Sequence, residues 1–387
     1  MRPGAGDGPP ETIPVNPNGD PAGSGGFEQA GGWPGVLGRL ASGHDLESGE
    51  ARLALSEVLL GNATPAQIAA FVFGLRCKGE TIDEMTGLVA AMLGAAERVV
   101  VPSDLSGRLV DTCGTGGDRS GTINVSTIAA LVVAGAGVPV CKHGGRAASS
   151  KAGSADVLES LGVVIDLGPE GVARCIEEAG IGFCFAPRFH PAMRHSVPVR
   201  RELGVPTAFN FLGPLANPAG VKRQVVGVGD PAMAEKMARV LAAGGATHVL
   251  VVHGADGLDE LSTTGPSTMY EYRAAAPDIH VATDIDVVTV EVDPAGLGLA
   301  PARVSDLLGG DAVTNAGLAR RVLEGERGPH RDIVLLNAAA GLLVGGAVTS
   351  LAEGLEMGAG VLDDGQAAVC LDRLVLTSKE AAGGSGA

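Results

Sequence analysis

Residues 111–127 read DTCGTGGDRSGTINVST, a glycine-rich turn between an apolar run and a helix start. Gly114, Gly116 and Gly117 let backbone amides approach a bulky anion, because glycine has no Cβ to clash and tolerates φ > 0. Asn124, Ser126 and Thr127 fall where a helix begins, the end that presents free N–H groups and partial positive charge. The segment matches neither a P-loop ending in GK[ST] nor G-x-G-x-x-G. A second loop, CKHGGRAASSKAGSAD at 141–156, gathers Lys142, His143 and Arg146 among small residues and serines. Side-chain cations and backbone amides can wrap a polyanion together. Either loop alone also reads as a tight strand-to-helix turn; two within one βα unit's length point to phosphates.

HGADGLDELS at 253–262 follows the apolar run HVLVV, at a strand's C-terminal end. That edge of an open α/β sheet carries ligands. Asp259 and Glu260 are adjacent carboxylates suited to Mg²⁺, which takes one or two carboxylates plus waters and substrate phosphates. The plainer alternative is a solvated acidic loop with Asp256 as its turn residue. Arg200 and Arg201, with Arg194 and His195 nearby, offer forked donors for a carboxylate or phosphate. Helical spacing separates the two arginines by ~100°, so one is expected to face the cleft. His190 follows the strand GFCFAP and could line an acceptor pocket. Ser149, Ser150 and Ser154 lack triad partners, so no catalytic nucleophile or base is assigned. The inventory suits a reaction that needs positioning and charge stabilisation.

The elements that position these groups follow from the pattern of the whole chain. In 387 residues the hydrophobic fraction is 45% and the aromatic fraction 3%, so the core must be Ala, Val and Leu; 60 glycines imply many tight βα turns. The net charge of −16 argues against nucleic acid as a partner. Six cysteines without CxxC spacing read as packing residues in a reducing cytoplasm. No apolar run reaches the ~18 residues of a membrane helix. Residues 1–33 read as a disordered tail, 34–100 as a helical domain, and 101–380 as an α/β domain with a mostly parallel sheet covered by helices. Capping boxes at Thr64–Gln67 and Thr81–Glu84, with Gly61 and Gly79 as C-caps, punctuate the helical part. RLVDT, VPVCKH, LGVVIDLG, GIGFCFAP, KRQVVGVG and ATHVLVVHG read as strands. The strand-poor stretch 191–218 is expected to fold back onto the helical domain.

Together these segments resemble the anthranilate phosphoribosyltransferases, among the nucleoside phosphorylase-like glycosyltransferases. GTGGD (114–118), NVST (124–127), KHGxR with SSKAGSAD (142–156), HPAMR…VRRELG…FNFLGPLANP (190–218) and DGLDELS (256–262) carry the likeness, with GGD (309–311) and RDIVLLNAAA (331–340). The resemblance implies transfer of phosphoribosyl from phosphoribosyl diphosphate to the amine of anthranilate, in tryptophan biosynthesis. By position it implies that Gly114, Thr115, Gly116, Gly117, Asp118, Thr122, Asn124, Ser126, Thr127, Lys142, His143, Gly144 and Ser150 hold the donor. Gly114, Gly145, His190 and Arg200 would hold anthranilate. Two Mg²⁺ ions per monomer are implied, with Asp259 and Glu260 on one and Ser126 on another. A cytoplasmic homodimer joined through the helical domain is implied too. One position departs: the family's KHGNR reads KHGGR here, so Gly145 replaces an asparagine that reaches the acceptor. Alternatives are a phosphoribosyltransferase with another aromatic or heterocyclic acceptor, a nucleoside phosphorylase, or a non-catalytic nucleic-acid binder.

Overall fold

Five of the six expected runs pair as parallel strands: β1 (Val110–Gly114), β2 (Val140–Gly144), β3 (Ile181–Phe185), β4 (Arg223–Gly227) and β5 (His248–Gly254). The structure is a computed structural model that describes residues 25–118, 120–147, 151–274 and 285–384. The sixth run, LGVVIDLG, is an extended connector instead. Its Val163, Ile165 and Leu167 are buried, and the Val164 N–H donates to Ser378 Oγ at 3.0 Å. Alternation there reflects packing under the helix Gln366–Gly384, not a sheet ladder. Two further strands, β6 (Ser267–Arg273) and β7 (Val288–Val292), add antiparallel on the far edge. β6 is half-buried and β7 mostly exposed, so neither shows the continuous apolar run by which the five parallel strands were read.

The sheet order is β3-β2-β1-β4-β5-β6-β7. Strand order reverses between β1 and β4, and ligands bind outside the carboxyl ends of strands at such a point. The strands end there in glycines, Gly114 on β1, Gly144 on β2 and Gly227 on β4. The helix Val125–Gly135 crosses from β1 to β2 buried on almost every side, packed by the helices Pro329–Gly345 and Gln366–Gly384. Each fully buried Leu or Val in it contributes roughly 1.5–3 kcal/mol.

The helical part comprises Gly25–Gln29, Gly32–Ala41, Ser48–Leu60, Pro65–Lys78 and Ile82–Gly94. Both capping boxes close as read: Thr64 and Thr81 side chains accept from the Gln67 and Glu84 N–H groups, and each partner side chain accepts back. The expected disordered tail to 33 is too long. Phe27 and Trp33 are buried and stack edge-on, their ring centroids 5.3 Å apart, inside that stretch. Phe27 is an isolated aromatic among glycines, so no periodicity announced it; residues 1–24 lie outside the described residues. In the stretch 191–218, Pro191–His195, Val197–Leu203 and Phe209–Leu215 lie against three helices of this part, with Val199, Phe209, Phe211 and Leu212 in the shared core. The described cysteines are all free; Cys77 is exposed, against the packing expectation, and the other five are buried.

Candidate active site

A cleft of about 780 Å³ opens at the β1/β4 reversal, between the two glycine loops and the segment 197–210. Gly114 to Asp118, Thr122, Asn124, Ser126, Thr127, Lys142, His143, Gly144, Gly145, Arg200, Asp259 and Glu260 all border it. Ser150 lies outside the described residues. His190 does not border the cleft: it sits buried behind His143, the two rings 5.1 Å apart. Both Arg200 and Arg201 border it, although helical spacing suggested one.

The glycines serve two different needs. Gly116 and Gly117 have φ of +65° and +86°, a backbone that L side chains avoid. Gly114 and Gly227 are required for space. A Cβ on Gly114 would lie 2.4 Å from Asp259 Oδ2, and one on Gly227 would lie 1.6 Å from the Asp259 carbonyl oxygen. The β1 and β4 ends are therefore cut away to seat the carboxylate loop.

That seating binds the acidic pair to the donor loop. Asp259 Oδ2 accepts the Gly116 N–H at 2.7 Å, and Glu260 Oε1 accepts the Ser126 N–H at 3.2 Å. Burial, then the nearby Asp118 charge, pushes the Asp259 carboxyl up to about 6. Burial, then Asp259 itself, pushes Glu260 well above the usual range. Raised carboxyls mark negative charge the protein alone does not neutralise, so a divalent cation fits here. Among the described residues no three His, Cys, Asp or Glu side chains converge on one point. Mg²⁺ held by this pair would complete its shell from waters and phosphate oxygens. Asp256 is exposed and serves as the loop's turn residue, accepting from the Leu258 N–H at 3.2 Å and from Ser262 Oγ at 2.6 Å.

The expected cationic cluster of the second loop is dispersed. Arg146 pairs with Asp156 at 2.7 Å and Glu159 at 2.9 Å. His143 is neutral: burial, then the His190 ring, lowers it to about 3, and its Nδ1 meets the Gly213 carbonyl at 2.9 Å. Its Nδ1 therefore carries the hydrogen, because a carbonyl only accepts. Burial likewise lowers His190 to about 4. Lys142 remains as the buried cation; its Nζ donates to the Thr112 carbonyl and lies 3.4 Å from Ser126 Oγ. Beneath it Asp111 is fully buried, accepting the His143 N–H at 3.1 Å and Asn217 Nδ2 at 2.8 Å. Burial raises that carboxyl, and the Lys142 charge opposes the rise.

Also bordering the cleft, the Arg200 guanidinium lies over the Phe209 ring, 5.7 Å from its centroid. Among the described residues no carboxylate pairs with it, and burial lowers its pKa. Asn210, Val205 and Pro206 border the cleft as well. Asn210 stood inside the FNFLGP motif, yet nothing in its spacing distinguished it from a helix-start residue. Asn337 was also missed: its Oδ1 accepts the Leu261 N–H at 3.0 Å and its Nδ2 donates to the Leu261 carbonyl at 2.8 Å. It clamps the residue after Glu260 from a helix 76 positions away, which no local signal reveals.

A helical bundle joined to an α/β domain, with a phosphate-type loop over paired carboxylates at the sheet's switch point, defines a glycosyltransferase. Family models agree: the glycosyl transferase family a/b domain matches residues 106–368, and its helical bundle domain matches 34–96. The chain is 52% identical over 343 residues to an anthranilate phosphoribosyltransferase of Thermomicrobium roseum, covering 89% of this chain and 96% of that one. A Salinispora arenicola protein of that name is 52% identical over 348 residues, with the same coverages. Of solved structures, the Thermus thermophilus anthranilate phosphoribosyltransferase superposes with a TM-score of 0.80 at 42% identity, covering 89% of this chain and 99% of that one. The Saccharomyces cerevisiae enzyme in complex with PRPP and Mg gives 0.80 at 26% identity, covering 90% and 98%. The chain belongs to the anthranilate phosphoribosyltransferase family.

Proposed function

We propose that this chain transfers the phosphoribosyl group of phosphoribosyl diphosphate to the amine of anthranilate, releasing diphosphate. The observation that carries the reading is the half-buried Asp259–Glu260 pair, hydrogen-bonded to Gly116 and Ser126 of the loop that would hold the donor. Asp259 and Glu260 would hold one Mg²⁺ and Ser126 would touch a second. When bound, Mg²⁺ neutralises the leaving diphosphate. Gly114, Thr115, Gly116, Gly117, Asp118, Thr122, Asn124, Ser126 and Thr127 would cradle the donor through small polar side chains and the backbone amides left free. Lys142 supplies a fixed positive charge beneath that loop. Arg200, solvated on one side and backed by Phe209, offers a fork for the acceptor carboxylate. It borders the same cleft as the donor loop, so an acceptor held there would present its amine to the ribose. No protein base is needed, since an aromatic amine is neutral near pH 7 and its lone pair is free. Catalysis is then positioning plus electrostatic stabilisation.

Complexes of the yeast relative with PRPP and Mg and with 4-fluoroanthranilate support both substrates. No helix among the described residues is long and apolar enough to cross a membrane, in keeping with a cytoplasmic role. A homodimer through the helical domain is also proposed. Leu60 and Phe73 are about half exposed there, although Leu55, Val58, Phe71 and Leu75 of the same stripes are spent within the monomer. The reading is tested by coupled consumption of anthranilate and release of diphosphate on mixing with donor and Mg²⁺.

A further inference from the structure

A chain of hydrogen bonds runs from the GGD turn into the donor loop. The Gly310 N–H donates to Asn315 Oδ1 at 2.7 Å, Asn315 Nδ2 donates to Asn124 Oδ1 at 2.9 Å, and Asn124 Nδ2 donates to the Ala152 carbonyl at 3.0 Å. Asn315 is buried. Gly309 makes room for it, since a Cβ there would lie 2.4 Å from Asn315 Oδ1; one on Gly310 would lie 2.9 Å from the Thr314 side chain. The turn is further zipped to the donor loop, Gly309 N–H to Gly121 carbonyl at 2.9 Å and Ile123 N–H to Leu307 carbonyl at 3.1 Å.

Side-chain amides can face either way, and the network decides. Here both ends of the network are backbone groups of fixed polarity. An N–H at Gly310 only donates, so the Asn315 carbonyl must face it and the Asn315 NH₂ must face Asn124. A carbonyl at Ala152 only accepts, so the Asn124 NH₂ must face that side. The two constraints agree without adjustment. Asn124 is half-buried on the cleft wall, with its second N–H uncommitted among the described residues.

We propose that Asn315 is a positioning residue for the donor: it holds the Asn124 carbonyl away and leaves an Asn124 N–H to meet phosphoribosyl diphosphate. A phosphate or ribose oxygen accepts such an N–H and repels a carbonyl. The proposal rests on the donor reading of the 114–127 loop.

The test is a double-mutant cycle in steady-state kinetics, using Asn315→Asp, Asn124→Ala and both together. An ionised carboxylate at 315 still accepts from Gly310 but cannot donate, so the Asn124 carbonyl must face either that carboxylate or the Ala152 carbonyl, and the amide no longer holds one orientation toward the donor. Asn315→Asp is expected to raise the donor KM about tenfold, leaving kcat and the acceptor KM within about twofold. In the Asn124→Ala background the same change is expected to add less than about twofold. An equal increment in both backgrounds would show charge acting through space and overturn the proposal. A donor KM unmoved by Asn315→Asp but raised by Asn124→Ala would overturn it while leaving the donor reading intact. A donor KM unmoved by Asn124→Ala would remove the donor reading itself. If Asn315→Asp does not fold, Asn315→Ala takes its place. It is expected to raise the donor KM about threefold, again only where Asn124 is present.

Discussion

Asp259 accepts the backbone N–H of Gly116 through its carboxylate, across 143 positions of sequence, at 2.7 Å. The bond ties the acidic loop after β5 to the glycine loop after β1, on the two sides of the sheet's order reversal. Neither loop is a site alone. The donor loop has no lysine to balance phosphates, and the acidic pair carries carboxyls raised by their surroundings and by neighbouring carboxylate charge. Each supplies what the other needs once a divalent cation and a diphosphate lie between them.

Gly227 tests that seating. A side chain there must displace the Asp259 backbone, whose carbonyl lies 1.6 Å from the Cβ position. Gly227→Ala is expected to cost about 1–3 kcal/mol of stability and to lower kcat about 100-fold at saturating Mg²⁺. Thermal melts and turnover measured on one preparation check it. Wild-type kcat in the alanine variant would mean the carboxylates need no fixed position.

Gly145 stands where the resemblance to KHGNR leads one to expect asparagine. Among the described residues an added Cβ meets only Ala186, at 4.0 Å, so a side chain has room there. Gly145→Asn is expected to lower the acceptor KM about two- to tenfold, the worth of one regained hydrogen bond. Donor KM should hold. An acceptor KM that rises instead would show the space already serves the bound acceptor.

Arg200 has no described carboxylate partner and faces the cleft. Removing its fork should affect the carboxylated substrate selectively. Arg200→Ala is expected to raise the acceptor KM by on the order of 10–100-fold with little change for the donor. Equal effects on both substrates would move Arg200 to the phosphates.

His143 and His190 predict a pH signature. Their pKa values, lowered to about 3 and about 4, lie below the unfolded value, so between about pH 6.5 and pH 4 the unfolded chain binds protons that the native protein refuses. Stability therefore falls as pH drops through that window, by up to roughly 1.4 kcal/mol per unit for each ring. Asp259 acts oppositely, holding a proton in the native state between about 4 and about 6, so wild-type slopes partly cancel. The difference between wild type and His190→Gln isolates one ring. Denaturant titrations at about pH 7.5 and pH 5 should show the variant losing roughly 2 kcal/mol less. Identical losses would mean His190 ionises freely in the folded protein.

Much of this was legible in the chain because the signals were local. Thr64, Gln67, Thr81 and Glu84 announce caps within four residues, and apolar runs ending in glycine announce strands that meet at a ligand edge. The donor loop and the Asp259–Glu260 pair were visible for the same reason. What stayed hidden depends on distant partners. Arg146 looked free until folding brought Asp156 and Glu159 to it, and His143 looked cationic until burial against His190 removed its charge. His190 looked like a wall residue because sequence gives no depth. Asn315 and Asn337 act through contacts 191 and 76 positions away, so composition treats them as ordinary helix residues.

The most direct test follows anthranilate fluorescence and diphosphate together on mixing purified protein with anthranilate, phosphoribosyl diphosphate and Mg²⁺. The account predicts loss of fluorescence matched one-for-one by diphosphate, abolished by chelator or by omitting either substrate. Unchanged fluorescence, with diphosphate released only when another amine or heterocycle is supplied, would contradict it.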